Sequence, residues 1–166
     1  MAESLRERLA AKAARRVTHP IATREPLVEY EAFQRATVAL SMHPPKGDDG
    51  HDPKELGKLV KERNAARDAY QEIFVDVTFE ALPANVYETL LESYIDPDSD
   101  DDELVSDWTV LLPELVAASC VDEDLRDVDW WREQLGKPAW SAGDLLDLRV
   151  LLVRLNTEHP VRAPKD

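Results

Sequence analysis

Ile73-Phe74-Val75-Asp76-Val77-Thr78-Phe79-Glu80 is the stretch on which the fold turns. Ile73, Val75, Val77 and Phe79 fall on one side of an extended run, with Phe74, Asp76 and Thr78 on the other. That period of two is the signature of a strand with one buried face. A second, shorter alternation lies upstream, where Val17, His19 and Ile21 surround Pro20. Proline cannot donate to a central ladder, so residues 17–21 read as an edge strand. A two-stranded ribbon is marginal alone and must pack on helices.

The residues between the two strands carry a helical period. Leu27, Tyr30, Phe33, Thr37 and Leu40 share one face, and His43-Pro44-Pro45 ends that helix. A polar loop, 46–51, leads to Asp52-Pro53, a cap followed by proline at the first helical position. Leu56, Leu59, Arg63, Ala66, Tyr70 and Ile73 are then spaced 3, 4, 3, 4, 3, a narrow seam interrupted by one arginine. Two such helices joined by a short loop predict an antiparallel hairpin inserted between the strands, so that the strands can pair.

Downstream of Pro83 the chain is helical again. Val86, Tyr87, Leu90, Leu91 and Tyr94 share a face that ends at Asp96-Pro97. Trp108, Leu111, Leu112, Leu115, Val116 and Ser119 mark a strong amphipathic helix, with Pro113 expected within or just before its first turn. Trp130, Trp131 and Leu135 belong to a short helix closed by Gly136 and Pro138. Ser141-Ala142-Gly143-Asp144 is a capping start. From Leu145 to Leu155 apolar residues cover two faces, which predicts a last helix buried at the centre of the C-terminal half. The fold expected is mainly α: a helical bundle with a small two-stranded β-ribbon and a helical-hairpin insertion. One domain spans 1–166, with a basic N-terminal arm at 1–16, the hairpin insert at 27–72 and a helical C-terminal half at 84–157.

Composition supports a globular chain: 43% apolar and 33% charged over 166 residues, enough for one buried core. Charge is uneven within the net −14. Residues 1–24 hold six Lys or Arg against two acids, whereas 96–129 hold thirteen Asp or Glu against Arg126 alone. Such acidity disfavours nucleic acid and anionic membranes as partners. The basic arm and acidic half could instead meet in self-association, or the acidic half could meet basic partners. The single Cys120 allows no internal disulfide and fits a reducing compartment; no apolar run or leader suggests a membrane span or export, so a cytoplasmic protein is expected.

No catalytic, cofactor or metal constellation stands out. His19, His43, His51 and His159 are scattered, and Cys120 reads as a small core residue. Asp96, Asp98, Asp100 and Asp107 match positions 1, 3, 5 and 12 of a calcium loop, but position 6 is Asp101 where glycine is needed. The stretch therefore reads as a solvated acidic linker. Trp130 and Trp131 lie about 100° apart on a helix, so one core cannot take both. A partner surface is expected from whichever is exposed, together with Leu112 and Leu115 of the Trp108–Ser119 helix.

The order of these elements resembles a known family. A Leu5-Arg6-Glu7-Arg8-Leu9 start leads to Arg16-Val17-Thr18-His19-Pro20-Ile21, and a helical insert returns through Val75 to Pro83 to the Tyr87-Glu88-Thr89-Leu90-Leu91 helix. Pro113-Glu114-Leu115-Val116-Ala117-Ala118-Ser119-Cys120-Val121 follows Trp108, and Trp140 to Asp144 opens a closing helix that ends at Leu155-Asn156. Over roughly residues 5 to 157 this is similar to the tail assembly chaperones of siphovirus-like phages and prophages of actinobacteria. The resemblance implies a protein without catalytic residues or cofactors that coats the tape-measure protein, keeps it soluble and helps tail-tube subunits, the major tail protein, assemble around it. It also implies action in the host cytoplasm, absence from the mature virion, and a longer frameshifted product. Two other classes fit the residues: a structural tail or connector protein of the virion, and an acidic DNA mimic that inhibits a nucleic-acid enzyme.

Overall fold

A computed structural model describes residues 4, 6, 7, 12–43, 53–94 and 107–158. Their order is β1 (Arg16–Ala22), α1 (Leu27–Ser41), α2 (Pro53–Gln71), β2 (Phe74–Glu80), α3 (Ala84–Glu92), α4 (Trp108–Ser119), a 3-10 turn (Glu123–Leu125), α5 (Val128–Leu135) and α6 (Ala142–Thr157). The protein is mainly helical with one two-stranded antiparallel ribbon, β1 beside β2, as the sequence pattern predicts. Among the described residues no helix is long and apolar enough to cross a membrane. Most of the N-terminal arm, the cap at Asp52 and the calcium-like stretch up to Ser106 lie outside the described residues.

The register of the ribbon explains its proline. Ala81 N–H donates to Arg15 O and Thr23 N–H to Ile73 O, both at 2.8 Å, at opposite ends of the pairing. Between them the Thr18 and Thr78 hydroxyls meet at 2.9 Å and Arg16 Nε reaches Glu80 Oε2 at 2.6 Å, as directly opposed residues do. Odd positions of β1 therefore occupy the hydrogen-bonded sites, and Pro20 falls at a position whose N–H would point away from β2. The far side of β2 is closed by a bridge between Phe79 and Cys120, with Val121 N–H donating to Thr78 O at 3.0 Å. Cys120 thus ends α4 rather than lying within it; its backbone is already extended.

The chain divides into two compact units, one formed by residues up to His19 with those from Val77 onward, the other by Pro20–Asp76. The first holds Phe79, Leu111, Leu115, Val116, Leu148 and Leu152 fully buried. Its centre is α4, buried from Leu111 to Ala117 except at Glu114, and packed on α3, α5 and α6. This corrects the expectation that the last helix is central. Asp144, Asp147, Arg149 and Arg154 interrupt α6, whereas in α4 only Glu114 is charged. Pro113 is also placed differently: it is the sixth residue of α4, past the first turn. The helix starts early because the Asp107 carboxylate accepts from Thr109 N–H at 3.0 Å and from its hydroxyl at 2.6 Å. α6 begins with the expected box: Asp144 N–H donates to Ser141 Oγ at 3.2 Å and Ser141 N–H to Asp144 Oδ2 at 2.8 Å. Gly136 follows α5 with φ −82°, so this stop does not use the left-handed conformation.

The second unit is the predicted hairpin, α1 packed on α2. Neither helix has a fully buried residue. Aromatic rings hold one end: Tyr70 lies 5.7 Å from Tyr30, 6.2 Å from Phe33 and 5.1 Å from Phe74, centroid to centroid. Pro53 opens α2 at its first position, where the missing N–H is harmless.

Candidate protein-interaction surface

Of the four residues expected to form a partner surface, three belong to the core. Leu112 and Leu115 are buried among the α4 contacts, and Trp131 is only 2% exposed against 41% for Trp130. The split follows from the helical angle between neighbours on α5. Trp131 turns inward, where its indole N–H donates to Leu125 O at 2.7 Å and its ring stands edge-on to Trp140 at 6.3 Å. Trp130 stacks on it from outside, edge to face at 4.9 Å. Asp127 caps this helix by accepting from Trp130 N–H at 3.0 Å. Leu112, Leu115 and Trp131 are thus corrected from contact residues to packing residues; a side chain that already fills a core has no surface to offer.

Besides Trp130, α6 offers exposed apolar surface. Leu148, Leu152 and Leu155 face the core, while Leu146 and Val150 stand 55% and 44% exposed on the other side. The sequence shows both apolar faces, but nothing in the pattern tells a doubly buried helix from one with a free face. Beside Val150 runs an open groove of about 440 Å³, formed by α6 and β1. Val17, Val150, Leu151 and Leu155 supply its apolar lining, and Arg15, Arg16 and Arg154 surround it with His19, Asp147 and Glu158.

The arginines are anchored. Arg16 pairs with Glu80, Arg154 Nε pairs with Glu158 Oε1 at 2.6 Å, and Arg15 donates to the Glu158 backbone carbonyl. Asn156 ties the end of α6 to the second residue after β2, accepting from Leu82 N–H at 2.8 Å. Three guanidinium groups line this groove, and with Glu80, the partner of Arg16, three carboxylates balance them. Its shape and lining suit an amphipathic segment whose apolar side covers Val150 and Leu151.

Cys120 and Asp107, two of the side chains that the sequence singles out, sit in structural roles. The Cys120 thiol is buried and pushed up to about 11, by desolvation first and by the nearby Asp122 second, so it is protonated at neutral pH and a poor nucleophile. Asp107, the last position of the calcium-like stretch, is held below the usual carboxylate range by its bonds to Thr109, the work of a helix cap. Among the described residues no three His, Cys, Asp or Glu side chains gather as a metal site would require. Trp108 has a partner of its own: the Arg149 guanidinium lies 4.1 Å over its ring. No family model, no characterised protein and no solved structure matches this chain.

Proposed function

We propose that this chain is a non-enzymatic assembly chaperone that holds an amphipathic helical client, the tape-measure protein of a phage tail. The observation that carries the proposal is the second apolar face of α6, Leu146 and Val150, beside the arginine-rimmed groove at β1. A client of this kind exposes apolar stripes until it is enclosed, and free stripes drive association with copies of itself. Covering them takes an apolar strip on the chaperone, many copies per client, and a charged outer face that keeps the coated complex in solution. The net charge of −14 supplies that face. The similarity to tail assembly chaperones, strongest at Pro113–Val121, points the same way, although those residues form the packing core and not the contact.

The test is co-expression with the cognate tape-measure protein, which should move from the insoluble to the soluble fraction in a complex holding several copies of this chain. Leu146→Asp with Val150→Asp should abolish co-elution while leaving the helical circular dichroism of the chaperone unchanged, because both side chains point away from the core. If the two proteins never co-elute and the chain is found at fixed stoichiometry in mature virions, it is a structural virion component and the proposal fails.

A further inference from the structure

α1 and the Met42 that caps its end carry a second stripe, on a different face from the one that packs on α2. Val28, Glu31, Arg35, Val38 and Met42 are spaced 3, 4, 3, 4, the heptad rhythm of a coiled-coil seam. All five are exposed, Val28 at 70%, Val38 at 46% and Met42 at 76%. Leu27 extends the apolar surface at the start of the helix. Glu31 and Arg35 are four apart in the favourable order for pairing with each other. Neither forms an ion pair among the described residues.

We infer that this stripe is a homodimer contact, in which α1 of one copy lies antiparallel to α1 of a second. The spacing of the charges selects both the occupant and the direction. In a parallel pair equivalent positions face each other, so Glu31 would oppose Glu31 and Arg35 would oppose Arg35. In an antiparallel pair related by a two-fold axis level with residue 33, Glu31 faces Arg35 of the other copy. The same axis sets Arg35 against Glu31, and Val28 against Val38 on either side. Every residue of the stripe from Val28 to Val38 then meets a complementary one, as an isologous contact demands. α1 is 15 residues, about 22 Å long at 1.5 Å per residue, so the seam is short and the dimer is weak. This inference uses a different helix from the client surface on α6 and does not rest on that reading.

Charge exchange tests it without any client. Sedimentation of the whole chain over a wide concentration range should show a reversible monomer–dimer equilibrium. Glu31→Arg and Arg35→Glu should each weaken it roughly tenfold or more, since each sets two like-charge contacts in the seam. The double variant should regain wild-type affinity. An equimolar mixture of the two single variants should form a heterodimer tighter than either homodimer, because one copy then offers two arginines where the other offers two glutamates. Unchanged circular dichroism will show that these exposed substitutions leave the helix intact. A wild-type chain that stays monomeric at several hundred micromolar overturns the inference and leaves the stripe to a different partner. A dimer indifferent to both single exchanges, or a mixture that forms no heterodimer, overturns it equally.

Discussion

The two units of this protein are both built on helices, yet they are held in different ways. From Val77 onward, α4 is wrapped by α3, α5, α6 and the ribbon, and six large side chains lose essentially all contact with water. Each such burial contributes about 1.5–3 kcal/mol. In the hairpin, α1 and α2 touch along one narrow seam and nothing in either helix is fully buried. Within that seam Arg63 Nε and Asn64 Oδ1 are shielded from water without a hydrogen-bond partner among the described residues, which works against the packing. The difference teaches that helix content and stability are separate matters: α2, at 19 residues, is the longest helix among the described residues and one of the least buried.

The largest effect should come from the denser unit. Phe79 is completely buried beneath the bridge to Cys120, so Phe79→Ala should cost about 3–5 kcal/mol, read as a lower denaturant midpoint in tryptophan fluorescence. A loss below about 1 kcal/mol would mean the core is looser than its burial implies. Next comes Tyr70→Ala, which removes the ring shared by Tyr30, Phe33 and Phe74. It should cost about 2 kcal/mol, since the ring is only half-buried, and hydrogen exchange should rise across 27–71 while α4 and α6 stay protected. Equal loss of protection in both units would break the comparison.

The smallest effect is on pH dependence. The Cys120 thiol ionises near 9.0 when unfolded and near 11 when folded. A raised folded value means stability is complete below pH 9 and is lost as pH climbs towards 11. The loss should be about 1 kcal/mol by pH 10, in the unit that holds α4. Tyr87, also raised by burial, adds to it at higher pH. Cys120→Ala should flatten the alkaline slope between 9 and 10, and the native thiol should resist disulfide-exchange reagents at pH 8. A thiol that reacts as fast as in the unfolded chain would show that the α4 end is open.

Much of the fold was readable in advance. The period-two runs gave both strands to within a residue or so, and the hairpin between them followed from the change of period. Ser141-Ala142-Gly143-Asp144 announced its own capping box, because a cap is a contact between residues three apart. Less of the candidate surface was readable. Trp130 and Trp131 could be recognised as facing different ways, but the choice between them needed Leu125 O and Trp140 in place to receive the inner ring. Leu112 and Leu115 were misjudged as contacts because a strong apolar stripe looks the same whether a partner or the rest of the chain covers it.

What the sequence determined by itself is therefore local: where strands and helices start, where Pro20 can be tolerated, and that the chain is strongly acidic. These depend on neighbours within about one helical turn, or on a sum over residues. The tertiary structure alone decided that α4 and not α6 is central, that α6 leaves Leu146 and Val150 exposed, and that Arg15, Arg16 and Arg154 converge on one groove. Each of these concerns side chains more than a hundred positions apart or a choice between two apolar faces. Hydrophobic burial has no direction of its own, so only the packing of the whole unit settles which face it covers.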